Sequence, residues 1–274
     1  VEEAAAQPGA ETLRGRGRVH VVPAPVGSGK WVVRHYHRGG AVASLLGDRY
    51  LRVGTPRPFH EFRLGRTLET WGVPVAPHVG AAVYGSGIWY RGDLVTELVP
   101  DARDLAAVLF PDRSLEGAAS CPGGDAGKGA VGGPVDAEGA MRAAGSLIRL
   151  LHERGVVHRD LNLKNILIVG GGSGSGPEDG AGGTLRALVL DLDRATLKAD
   201  LGEGARRRML ARFWRSARKW ETRTGIRVEP RLRRAFERGY GQRGDRGIRG
   251  GGGAGGQGDG GGGPRGGRGP RERC

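Results

Sequence analysis

The stretch His158-Arg159-Asp160-Leu161-Asn162-Leu163-Lys164-Asn165-Ile166-Leu167, followed by Leu188-Val189-Leu190-Asp191-Leu192-Asp193, constrains this chain more than any other feature. It spaces Asp160, Asn165 and Asp191 around two short apolar runs, Ile166 to Val169 and Leu188 to Leu192, each of a length that suits a buried strand. A surface salt-bridge cluster next to an ordinary strand end would need no fixed order. Here a helical pattern, a glycine, the His-Arg-Asp run and an apolar-Asp-x-Asp sequence follow one another.

That order and spacing match the catalytic loop and metal-binding segment of kinases. Phosphoryl transfer needs a carboxylate that accepts the proton of the attacking hydroxyl, and ligands for the Mg2+ ions that neutralise charge on the phosphates. Asp160 fits the first role, and Asn165 and Asp191 the second. The interval from Asn165 to Asp191 is longer than the kinase pattern, and the Gly-rich segment 170–184 accounts for it as an extended hairpin loop. Upstream, Gly15-Arg16-Gly17-Arg18-Val19 resembles the loop whose backbone N–H groups cover the ATP phosphates. Arg34, in Trp31-Val32-Val33-Arg34, falls where the strand lysine of kinases falls, with Lys30 as a weaker substitute. The charge is kept, although a planar guanidinium binds phosphate differently from an ammonium. Glu61 is the candidate partner that orients this cation. Glu97-Leu98-Val99-Pro100 occupies the hinge, where backbone groups at Glu97 and Val99 would hold adenine beside Thr96.

Between these motifs the pattern runs from strands to helices. Val19 to Val22 and Trp31 to His35 read as a hairpin across Gly27-Ser28-Gly29. Phe59 to Trp71 spaces Phe59, Phe62, Leu64 and Leu68 helically and stops at Gly72 and Pro74. Val79 to Tyr84 and Ile88 to Leu98 are extended, and Met141 to Glu153 is a helix ended by Gly155. The expectation is an α+β chain with a protein-kinase-like two-lobed fold. Its N-lobe, 13–100, is mainly antiparallel sheet plus one helix, and its reduced, mainly helical C-lobe covers 101–240. Segments 112–135 and 170–184 are Gly-rich inserts. Residues 1–12 and the Gly/Arg-rich tail 241–274 are expected to be disordered, because none of these stretches carries apolar residues that could form a core.

The formal net charge is +14, and the tail, with seven Arg against three acidic residues, carries only a small part of it. A basic folded part favours phosphate-bearing partners, among them nucleotides, nucleic acid, phosphorylated glycolipids and anionic membranes. Cys121 and Cys274 are the only cysteines, which argues against a disulfide framework and for a reducing compartment. No run of about 18 apolar residues occurs. The helical stretch 202–220 sets Leu210, Phe213, Trp214 and Ala217 on one stripe among Arg206, Arg207, Arg208, Arg212, Arg215, Arg218 and Lys219. Such a helix suits either an anionic membrane or a C-lobe core, and both uses are compatible.

The segments 34–51 (RHYHRGGAVASLLGDRYL), 59–64 (FHEFRL), 90–100 (YRGDLVTELVP), 158–167 and 190–195 (LDLDRA) together resemble the lipopolysaccharide kinase family, and within it the members acting on 3-deoxy-D-manno-octulosonic acid (Kdo). The resemblance extends over residues 15 to 220 apart from the inserts. It implies transfer of the ATP γ-phosphate to the 4-OH of Kdo on a lipid A precursor, with Asp160 as base, at the cytoplasmic face of a Gram-negative inner membrane. Leu192 departs from the family's Phe, which removes no reacting group. Arg38-Gly39-Gly40, with Asp48 and Arg49, suits either substrate contacts or a structural turn. A protein Ser/Thr kinase fits less well, because no Ala-Pro-Glu motif follows Asp193 and few residues remain for a peptide-binding lobe. An aminoglycoside-type phosphotransferase shares the catalytic run but not 34–51. RNA binding through the Arg/Gly tail is disfavoured by the lack of interleaved aromatics, so no nucleic acid is expected.

Overall fold

Alternation of β-branched and aromatic residues builds an antiparallel sheet from the first hundred residues. Its strands are β1 (Glu11–Leu13), β2 (Val19–Pro23), β3 (Lys30–His35), β4 (Tyr50–Leu51), β5 (His78–Ser86) and β6 (Trp89–Glu97). They join in the order β1-β2-β3-β6, with β4 and β5 both on β6. The computed structural model describes residues 11–13, 19–37, 47–111, 135–170 and 185–241. Gly15, Gly17, Arg38-Gly39-Gly40, both cysteines, the interiors of the two Gly-rich inserts and the tail beyond 241 lie outside the described residues. The β2–β3 hairpin runs in register from Val19 opposite Arg34 to Pro23 opposite Lys30. Gly27 in its turn has φ 84°, a conformation that costs glycine little. Glu11 and Thr12 pair with Val21 and His20, so the first strand begins inside the stretch 1–12 expected to be disordered.

Helix α1 (Arg57–Thr70) starts two residues earlier than the apolar spacing indicates, because Pro58 is preorganised for the first turn. Its buried face is Pro58, Glu61, Leu64, Gly65 and Leu68, so a carboxylate shares the apolar side. At Gly65 a Cβ would lie 2.2 Å from the His78 ring. That missing methyl lets β5 approach α1 and turns Glu61 into the interior.

The second half adds β7 (Arg103–Asp104), α2 (Leu105–Leu109), α3 (Ala137–Glu153), β8 (Val156–Val157), β9 (Ile166–Val169), β10 (Arg186–Val189), β11 (Thr196–Leu197), α4 (Glu203–Thr224) and α5 (Pro230–Gly241). The Asp136 carboxylate accepts from the N–H groups of Glu138 and Gly139, which starts α3 four residues ahead of Met141. β9 and β10 pair antiparallel from Val169 opposite Arg186 to Ile166 opposite Val189. Segment 170–184 therefore connects two adjacent strand ends, and Asn165 and Asp191 sit at the same end of the hairpin. β10 stops at Val189, short of the expected Leu192.

α4 turns Met209, Phe213 and Ala217 fully inward, with Leu210 and Trp214 at the margin of the core. The C-lobe packing thus takes the stripe, and Arg207, Arg208, Arg215, Arg218 and Lys219 remain exposed. α5 was not singled out in the sequence reading. It lies against α3 so closely that a Cβ on Gly145 would stand 2.2 Å from the Phe236 carbonyl oxygen, and one on Gly239 would stand 2.0 Å from that of Arg142. The main core joins these helices to Leu64, Leu68, Val73 and Val75 from the first half.

Candidate active site

Arg34 lies on β3 opposite Leu94 of β6, in a register that turns its side chain towards α1. Its Nη2 donates to Glu61 Oε2 at 2.5 Å and its Nη1 to Asp191 Oδ1 at 2.8 Å. Tyr36, two residues on and therefore on the same face of the strand, donates its hydroxyl to the same Glu61 oxygen. The other oxygen, Glu61 Oε1, accepts from the Leu192 N–H at 3.0 Å. Glu61 is 2% exposed, yet both carboxylate oxygens are satisfied. Burial alone would lower the Arg34 guanidinium, but Glu61, Tyr36 and Asp191 outweigh it and hold the group well above the ordinary arginine range. Burial raises the Tyr36 hydroxyl, so it stays a donor.

The loop carrying Asp160 is held by its neighbours. His158 is buried, its Nε2–H donates to the Leu190 carbonyl at 3.0 Å, and its Nδ1 accepts from the Asp160 N–H at 3.2 Å. Burial lowers its pKa, which keeps the ring neutral and able to do both. Asn162 and Asn165 each donate Nδ2 to the Asp160 carbonyl, at 2.8 and 2.9 Å. The Asn165 carbonyl accepts from the Leu190 N–H at 2.9 Å, and the Leu163 N–H donates to Ser216 Oγ of α4 at 3.3 Å. The Asp160 loop is thus tied to the segment preceding Asp191 and to α4, while the Asp160 carboxylate stays 45% exposed.

Asp191 adopts φ 60°, a left-handed conformation uncommon for a residue with a side chain. The turn it begins is fixed by Glu61 at Leu192, by the Ala195 N–H donating to the Leu192 carbonyl at 3.0 Å, and by His60 Nε2–H donating to the Ala195 carbonyl at 2.8 Å. Asp193 receives Arg57 Nη1 at 3.2 Å. Burial, followed by the Asp191 and Glu61 charges, pushes the Asp193 carboxyl up to about 6 against the opposing pull of Arg57 and Arg34. Arg194 Nη1 stands 3.7 Å from Asp160 Oδ2. The contacts of Arg57, Asp193 and Arg194 were not anticipated from the sequence, although the second Asp of the Asp191-Leu192-Asp193 run was a visible signal.

β6 ends at Glu97, whose side chain is exposed and whose N–H donates to the Pro77 carbonyl at 2.8 Å. The Leu98 N–H donates to the Lys30 carbonyl at 2.8 Å. Val99 packs with Leu190 against a small apolar cluster of Ala102, Leu167 and Leu188. This cluster puts apolar surface between the end of β6 and the β9–β10 hairpin. Asn165 Oδ1 and the second Asp191 oxygen supply hard oxygen donors, a set that suits Mg2+ completed by phosphate oxygens and water. Lys30 lies at the first residue of β3, away from the Arg34 ion pairs.

The family model for the lipopolysaccharide kinase (Kdo/WaaP) family matches residues 6–120 and 132–237. A 3-deoxy-D-manno-octulosonic acid kinase of Xanthomonas oryzae pv. oryzae (strain PXO99A) is 34% identical over 234 residues, 83% of this chain and 78% of the relative. The protein of the same description from Stenotrophomonas maltophilia (strain K279a) is 31% identical over the same shares. Among solved structures, WaaP in complex with acyl carrier protein aligns over 87% of this chain and 80% of that one, with 21% identity and a TM-score of 0.49.

Proposed function

Since the chain belongs to the lipopolysaccharide kinase (Kdo/WaaP) family, we propose that it transfers the γ-phosphate of ATP to the 4-OH of Kdo on a lipid A precursor. The observation that supports this best is the meeting of Arg34, Glu61 and Asp191 beside the pinned Asp160 loop. Adenine lies against Val99, Leu167 and Leu188, with backbone groups at Glu97 and Val99 reading its edge. Arg34 contacts the phosphates in the place of the kinase lysine, and Glu61 holds its fork in orientation. Gly15 and Gly17, which lie outside the described residues, are the candidates whose backbone N–H groups bind the phosphates. Asp160 accepts the proton of the 4-OH as its oxygen bonds to the γ-phosphorus. The bond from that phosphorus to the β–γ bridging oxygen breaks, and ADP departs with the electron pair. Asn165 and Asp191 would hold Mg2+, which when bound neutralises charge on the phosphate oxygens.

The acceptor is the head of a lipid, and the exposed arginines of α4 offer an anionic membrane surface a basic face. No helix among the described residues is long and apolar enough to cross a membrane. Association from the cytoplasmic side of the inner membrane as a peripheral protein follows from this reading. The test is incubation with γ-labelled ATP and Mg2+ against a Kdo-lipid A precursor, a generic protein and an aminoglycoside. Label on the first alone is the expected result, and label on either of the others alone overturns the assignment.

A further inference from the structure

Among the described residues, Arg34, Arg57 and Arg194 form ion pairs with the carboxylates of the site, and the first two are closely engaged. Arg34 is taken by Glu61 and Asp191. Arg57 is held by Asp193 at 3.2 Å and lies over the Tyr50 ring. Arg194 differs from both. Its guanidinium is 55% exposed, and its one ion-pair partner among the described residues is Asp160, at 3.7 Å. That separation is too long for a direct hydrogen bond, and an exposed pair of this kind contributes little stability. Its backbone, by contrast, is fixed: the Leu192 N–H bonds Glu61 before it, the Ala195 N–H to the Leu192 carbonyl closes the turn around it, and the His60 bond to Ala195 and the pairing of β11 with β8 follow it. Arg194 is therefore a loosely committed cation on a rigid turn, next to the carboxylate to which the acceptor hydroxyl must come.

We propose that Arg194 is the acceptor-recognition residue, binding the carboxylate of the sugar acid and in doing so leaving Asp160 free to act as base. The proposal rests on the Kdo reading above. An octulosonic acid carries a carboxylate as well as hydroxyls, and a guanidinium takes a carboxylate through two parallel N–H···O bonds. That pairing is stronger than the long contact to Asp160, so the incoming acid displaces it. The exchange also places a positive charge between two carboxylates, Asp160 and that of the acceptor, which would otherwise repel each other. A neutral sugar gains neither effect. It leaves Arg194 drawn to the base and forms no bidentate pair, so selection for acidic acceptors is built into the turn after Asp191.

The test compares kcat/KM for a Kdo-lipid A precursor with that for its carboxamide derivative, in the full chain and in the Arg194→Met and Arg194→Lys variants. The unsubstituted protein should prefer the acid by about ten- to a hundredfold, as a charge-assisted pair warrants. Arg194→Met should lose that preference to within about twofold through a raised acceptor KM with an unmoved ATP KM, and Arg194→Lys should recover part of it. Retention of the full preference by Arg194→Met, or an effect confined to the ATP KM, overturns the proposal. Equal use of acid and amide by the unsubstituted protein also overturns it while leaving the Kdo reading intact. Use of neither Kdo acceptor, with label on another substrate, removes the Kdo reading and this proposal together.

Discussion

At Arg34 a guanidinium does what an ammonium could not. It reaches Glu61 with one nitrogen and Asp191 with another, so a single planar group links α1 to the turn after β10. Arg34→Met leaves Glu61 buried without its cation. Because the Arg34 side chain is itself 30% exposed, the expected cost is about 1–3 kcal/mol, below that of a fully buried pair. Urea unfolding measures it, and Arg34→Lys should restore the charge but only one of the two contacts. Asp160→Asn should lower kcat by about two to four orders of magnitude with little change in circular dichroism or melting, since the carboxylate is half-exposed and its ion pair with Arg194 is long and exposed. A variant that turns over fully would remove Asp160 from the mechanism. Asp160, Asn165 and Asp191 were legible because their spacing within one loop and one strand end is local. The partners of Arg194 and Asp193 were not, because they depend on how the turn from 191 to 197 folds back over the loop.

Among the elements, β3 and the α3–α5 pair carry separate predictions. His35 of β3 bonds Asp93 of β6 through Nδ1 and Asp48 through Nε2, with Arg91 and Tyr84 on those carboxylates and the His37 ring beside it. The hydrogen bond to Asp93 is the largest influence. With help from Asp48 it overcomes burial and raises the His35 pKa. A raised histidine contributes stability that is fully present below about 6.5, its unfolded value, and is lost as pH rises through the folded value. The stability gap between the unsubstituted protein and His35→Gln should therefore be wider at pH 6 than at pH 9. A gap independent of pH would mean that the ring is neutral throughout. At the α3–α5 contact, Gly239→Ala sets a methyl against the Arg142 carbonyl and should cost about 1–3 kcal/mol by overpacking, read from the denaturation midpoint. α5 fell within the expected helical C-lobe but was not singled out, because its arginines obscure the apolar stripe of Pro230–Gly241. Its inward residues Leu232, Ala235, Phe236 and Gly239 follow a helical period, but over too few turns to stand out.

For the molecule as a whole, segment 170–184 is an addition to a hairpin whose strand ends already pair without it. Val169 and Arg186 are already paired, so replacing 170–185 by a two-residue Asn-Gly turn should raise stability by about 1–2 kcal/mol through a smaller closure entropy. Turnover should stay within about twofold, because Asn165 and Asp191 lie at the opposite end of the hairpin. Removing 242–274 should leave activity largely intact, and a large loss would give the tail a part in acceptor or membrane binding. By itself the sequence determined the spacing of Asp160, Asn165 and Asp191, the order of strands before helices and the family, because loop spacing and apolar period are properties of neighbouring residues. The pairing of Arg34 with Glu61, 27 residues away, was already expected, and only the tertiary structure decided that the same guanidinium would also meet Asp191, 157 residues away. The sheet register, the missing Cβ at Gly65 and the β9–β10 pairing jointly set those distances, and none of them is carried by any one segment.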